Sequence, residues 1–77
     1  MSNYGFFYND KKKEILGSDS LFVCDGRLSM SNMITEAKRR AKSYDKNFPH
    51  YKITYVRFFK GSIRSPSFYT GYINLRN

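Results

Sequence analysis

Ser29–Tyr44, SMSNMITEAKRRAKSY, has the spacing of an amphipathic helix. Met30, Met33, Ile34, Ala37, Ala41 and Tyr44 recur at steps of three and four, which places them along one stripe of an α-helix. Glu36, Lys38, Arg39, Arg40 and Lys42 fall on its flanks and far side. Ser29 and Ser31 are both N-cap candidates, because a serine hydroxyl accepts from the amide two or three residues on. Lys42 and Lys46 lie toward the other end, where positive charge complements the helix dipole. The helix is expected to finish near Tyr44 to Lys46, since Asn47-Phe48-Pro49 cannot continue it.

Working outward, the segments on either side read as strands. Ser20–Cys24, SLFVC, is a nearly continuous apolar run closed by Asp25-Gly26, the pattern of a central strand covered on both faces. Tyr4–Asn9, YGFFYN, is an aromatic strand in which Gly5 marks a bulge or a close backbone approach. Asp10 to Lys13 forms a charged hairpin turn, and Glu14 to Leu16 a short pairing segment before Gly17-Ser18-Asp19. Downstream, Tyr51–Lys60 is the clearest strand. Ile53, Tyr55, Arg57 and Phe59 share one face, and Lys52, Thr54, Val56, Phe58 and Lys60 the other. The connector Gly61 to Pro66 is too short for a crossover, so the last strand, Ser67–Leu75, pairs antiparallel with it. Gly71 in that strand makes room for a neighbouring ring or marks a bulge. The expected fold is a single α+β domain over residues 1–77: one helix packed on a curved, mainly antiparallel sheet of four to five strands.

Seven Phe and seven Tyr offset the thin core that a 77-residue chain can build. Cys24 is the one cysteine, which excludes an internal disulfide and reads as a small core residue in a reducing, cytoplasmic setting. His50 has no Cys, His or carboxylate at metal-ligand spacing, so no metal or cofactor is expected. No signal peptide and no membrane span are expected either. Phosphate-loop, H-E-x-x-H and G-x-S-x-G patterns are missing, and the carboxylates form no acid–base pair, so the reading is non-enzymatic.

Fourteen Lys and Arg against six Asp and Glu leave a net charge of +8, which favours a phosphate backbone or an acidic protein surface as partner. Aromatics fall on both phases of several strands, and one helix covers only one face of a sheet. Some rings are therefore expected on an uncovered face among cations, where bases stack on rings or where Tyr and Arg anchor a protein interface. The strand around Phe58 lacks the spacing of an RNA-recognition motif, and a double-stranded-RNA-binding domain needs more than one helix.

The Ser-led helix with Ala37-Lys38-Arg39-Arg40-Ala41-Lys42, followed by a Lys- and aromatic-rich hairpin, resembles small phage-encoded anti-CRISPR proteins. The resemblance is to a compact type I-F inhibitor with one helix on a curved antiparallel sheet. It spans residues 20 to 75 as an element order and is confined to the helix at residue level. It implies a non-enzymatic inhibitor that binds a crRNA-guided complex and occupies or alters the surface meant for target DNA. The lysine-rich first turn and the aromatic excess depart from that inhibitor.

Three functions are thus expected. The first is an inhibitor of a host protein or ribonucleoprotein complex that handles nucleic acid, acting through Lys11, Lys12 and Lys13 at the turn and Lys38, Arg39 and Lys42 on the helix. The second is direct DNA or RNA binding through Arg57, Lys60, Arg64, Tyr69 and Tyr72. The third is a structural protein that self-associates through the uncovered sheet face.

Overall fold

The helix forms where its spacing predicts. In the computed structural model, which describes residues 2–15 and 20–76, it runs Met30–Asn47 and is named α1. Ser29 caps it in an extended conformation, its hydroxyl accepting from the Asn32 amide at 3.3 Å. It ends slightly beyond the expected point. The Phe48 amide closes the last turn onto the Tyr44 carbonyl, and Pro49 then opens a short 3-10 turn, Pro49–Tyr51, which takes up Tyr51.

Five strands pair antiparallel throughout: β1 (Ser2–Asn9), β2 (Leu21–Asp25), β3 (Ile53–Gly61), β4 (Pro66–Phe68) and β5 (Ile73–Asn74). The order is β2-β1-β3-β4, with β5 pairing β3 along the same side as β4. β2 therefore lies at an edge, not in the centre. Its apolar run is explained by its two faces: Phe22 and Cys24 point to the helix, while Leu21 joins the rings on the far side.

One face of the sheet packs on α1. Met33, Ala37 and Ala41 of the helix meet Phe7, Phe22, Ile53, Val56 and Phe58, with Ala37 and all five of these sheet residues fully buried. Met30 is in phase with the stripe but 41% exposed; it belongs to the first helical turn, where periodicity does not tell how far the sheet extends beneath. Cys24 is a buried free thiol in this core, and burial pushes its pKa up.

Two bulges change the expected faces. Tyr8 opposes Tyr55 and Asn9 opposes Ile53, so Thr54 is an extra residue and Ile53 turns from the Arg57 face into the helix-side core. Beyond β4, three steps along β3 from Phe59 to Val56 are matched by five along the last strand from Phe68 to Ile73. The expected continuous strand Ser67–Leu75 is thus broken, and Tyr69 to Tyr72 bulge from the edge. Gly71 lies in this bulge, and a Cβ there meets nothing within 4 Å, so it makes no room for a ring. The expected pairing segment at Glu14 is a single bridge to Tyr8, and Leu16 to Asp19 lie outside the described residues.

Gly5 marks a close approach. A Cβ at this position would lie 2.9 Å from Cδ1 of Phe58 and 3.1 Å from the Arg57 carbonyl oxygen. The glycine lets Phe22 and Phe58, on the strands either side, come together with ring centroids 5.9 Å apart. The Gly5→Ala variant is expected to lose about 1–2 kcal/mol, because overpacking outweighs the entropy gained by restricting the unfolded chain. Thermal denaturation checks this, with a melting temperature lowered by roughly 5–15 °C in a domain of this size.

Candidate functional site

The face of the sheet away from α1 carries a second aromatic cluster. Phe6, Tyr8 and Phe59 are buried there, surrounded by partly buried Tyr4, Leu21, Tyr55 and Phe68. Strand alternation accounts for the set: Tyr4 opposes Phe59, Phe6 opposes Arg57, and Tyr8 opposes Tyr55. Phe6 stacks on Phe59 with centroids 4.6 Å apart, and Phe68 closes on Phe59 edge-on at 5.8 Å. Among the described residues no helix lies on this side, and the rings bury one another.

The bulge from Tyr69 to Tyr72 completes the face. Thr70 takes the place of a strand neighbour, its Oγ1 accepting from the Phe58 amide at 2.9 Å, while its carbonyl accepts from Arg57 Nε at 3.0 Å. Tyr72 is thereby laid over the sheet, edge-on to Tyr8 at 4.9 Å and near Tyr55 at 6.1 Å. The Arg57 guanidinium sits 4.1 Å from the Phe68 ring centroid and 5.3 Å from that of Tyr72.

Lys12 reaches the same place from the first turn. Its Nζ stands 5.6 Å from the Tyr55 centroid and 5.4 Å from that of Tyr72. The Asn9 side chain builds this turn by accepting from the Lys11 and Lys13 amides at 2.9 and 3.0 Å. Lys12 is left at φ 60°, a conformation that glycine adopts without steric cost. Beneath it, burial pushes the Tyr8 phenol above its ordinary pKa, and the Glu14 carboxylate adds to this.

The expected contact residues are distributed differently from either set. Lys12 joins Arg57 and Tyr72 on the open face, whereas Lys38, Arg39 and Lys42 belong to the helix on the other side of the sheet. Lys11 and Lys13 are exposed beside Lys12. Tyr69 stacks on Phe58, a helix-side residue, with Lys60 Nζ 5.6 Å from its ring, so this pair sits apart from Tyr72. Arg64 is exposed in the β3–β4 turn. Tyr55, Phe68 and Thr70 were not singled out from the sequence. The alternation in β3 points to Tyr55, and pairing opposite Phe59 places Phe68, while the role of Thr70 depends on the bulge.

Three acids pair with four of the arginines, and no lysine pairs with a described acid. Glu36 holds both Arg39 and Arg40, Arg40 Nε lying 3.3 Å from its Oε1. Asp25 holds Arg27 at 2.9 Å, and Asp45 holds Arg76 at 2.7 Å. Lys38 and Lys42 flank a shallow hollow of about 360 Å³ with Arg76 and make no ion pair with a described acid. Among the described residues, no group of three His, Cys, Asp or Glu is placed to hold a metal ion, and no helix is long and apolar enough to cross a membrane.

Compared with protein families, curated proteins and solved structures, the chain finds no significant match.

Hydrogen bonds from Arg39 hold the Glu36 carboxyl below its ordinary pKa. That stabilisation is present above the unfolded-state pKa and is lost as the pH falls through the depressed folded-state value. Glu36→Gln is therefore expected to melt at a lower temperature than the parent chain near neutral pH. The difference should close in strongly acidic solution, as paired melts at the two pH values would check.

Proposed function

We propose that this chain is a non-enzymatic binding protein that docks on nucleic-acid-handling machinery and blocks or alters its nucleic-acid-binding surface. In this reading it acts as a phage anti-defence inhibitor of the anti-CRISPR kind, in the host cytoplasm. The observation that carries the reading is the unbalanced charge. Of fourteen Lys and Arg, four pair with described acids, which leaves ten cations without such a pair. A surface of this sign cannot imitate a nucleic acid. It favours the polyanion that such machinery carries, or an acidic patch beside it.

The lysines are suited to this because Lys11, Lys12, Lys13 and Lys42 are exposed, and Lys38 partly so, on a scaffold held by packed rings. Lys11, Lys12 and Lys13 extend from one end of the sheet, and Lys38 and Lys42 from the helix side. They lie on different sides of the domain, so a partner engages one group first. An inhibitor needs only to occupy a surface, which fits the shallow hollows of this domain better than catalysis does.

Capture from a host lysate by the tagged chain, with and without nuclease treatment, tests the reading when followed by a DNA-retention assay on the captured complex. The expected result is a nucleic-acid-handling complex whose hold on its target DNA weakens as the chain is added. Retention unchanged by the chain, or no complex captured, overturns it. Lys38→Glu with Lys42→Glu, compared with Lys11→Glu with Lys13→Glu, shows which side docks: the engaged pair should abolish the inhibition.

A further inference from the structure

We propose that the open face of the sheet is a landing surface for single-stranded nucleic acid, with bases stacking on Tyr72 and Tyr55 and phosphates held by Lys12 and Arg57. This deepens the reading above and rests on it, since it names the polyanion and the surface that meets it.

Three features of the face carry the inference. The first is its floor. Phe6, Tyr8 and Phe59 are buried and packed ring on ring, so the outer rings are mounted on a fixed surface. Preorganised rings lose little freedom when a base stacks on them. The second is exposure at the top of that floor: Tyr72 is 41% exposed, and Tyr4, Tyr55 and Phe68 are partly open. Tyr55, Phe68 and Tyr72 are arrayed around Lys12 and Arg57, neither of which pairs with a described acid.

The third feature is the way the two cations are held. Arg57 is fixed by the Thr70 carbonyl and lies against Phe68, so its charge stays in place without an anionic partner. Lys12 projects from a turn clamped by Asn9, at a backbone position where glycine would sit more easily. Asp10 in the turn and Glu14, which acts on Tyr8, are the acids of this corner, and Lys11, Lys12, Lys13 and Arg57 outnumber them.

Charge and ring chemistry together select the occupant. A second copy of the chain docked face to face would set Lys12 and Arg57 against their own counterparts, which like-charge repulsion opposes. A duplex keeps its bases stacked on each other and makes no use of exposed rings. A single strand offers both unstacked bases and phosphates.

Fluorescence anisotropy with a labelled oligothymidine of about 12 nucleotides, and with a duplex of the same length, tests this. The single strand is expected to bind the more tightly, with affinity falling as salt is raised. Tyr72→Ala should weaken single-strand binding about tenfold, as loss of one stacked base does, while Tyr72→Phe keeps it. Lys38→Ala with Lys42→Ala should weaken strand and duplex alike. Quenching of tyrosine fluorescence by the unlabelled strand, in a chain with no Trp, provides a readout independent of any variant. Equal affinity for strand and duplex overturns the proposal, as does a Tyr72→Ala variant no weaker than the helix-side control. Competition by polyglutamate at equal charge would overturn it in favour of an acidic protein surface. Strand binding absent while capture of the machinery survives nuclease sinks this landing surface alone. Strand binding present with nothing captured sinks the inhibitor reading alone.

Discussion

Large rings meeting small helical side chains is the constraint on which the rest of this structure depends. Phe7, Phe22 and Phe58 rise from three adjacent strands, and Met33, Ala37 and Ala41 come down on them. Alanines let the helix approach closely, and the rings then fill the space that a larger helical residue would take. Gly5 does on the sheet what the alanines do on the helix, since a Cβ there would strike Phe58 and the Arg57 carbonyl. Removal of a buried Phe costs about 3–5 kcal/mol, a large part of the stability of a domain this small.

Spending the helix on one face has a consequence for the other. Phe6, Tyr8 and Phe59 are buried, and among the described residues no second layer covers them. They are buried by their neighbours in the sheet, and Tyr8 also by the bulge that lays Tyr72 against it. The cations then follow the rings. Arg57 is held against Phe68 by the Thr70 carbonyl, and Lys12 is brought over Tyr55 and Tyr72 by a turn built on Asn9. The same local packing that stabilises this face produces its mixture of π surface and positive charge.

The helix side has a different character. Glu36 binds two arginines there, so half of the guanidinium charge that the sequence displays between Lys38 and Lys42 is matched within the helix. Net charge alone does not distinguish a cation held by a neighbouring acid from one open to a partner. The three-residue and four-residue spacings that bring Arg39 and Arg40 to Glu36 are written in the sequence, and they identify this pairing in retrospect.

Sequence pattern alone was enough for the helix, the class of fold, the antiparallel hairpin and the excess of positive charge, while the cap stayed open between Ser29 and Ser31. These readings follow from periodicity, from a connector too short to cross over, and from composition, all of which act locally or by simple sum. Only the tertiary structure decided that β2 is an edge strand, that Ile53 turns inward, and that Lys12 keeps company with Arg57 and Tyr72. Each of these depends on pairing partners and bulges. One extra residue at Thr54 reverses the face of Ile53, and two in the last strand move Tyr72 across the sheet. A period-two pattern carries no mark of where such a residue is inserted, because the insertion is defined only against the opposing strand.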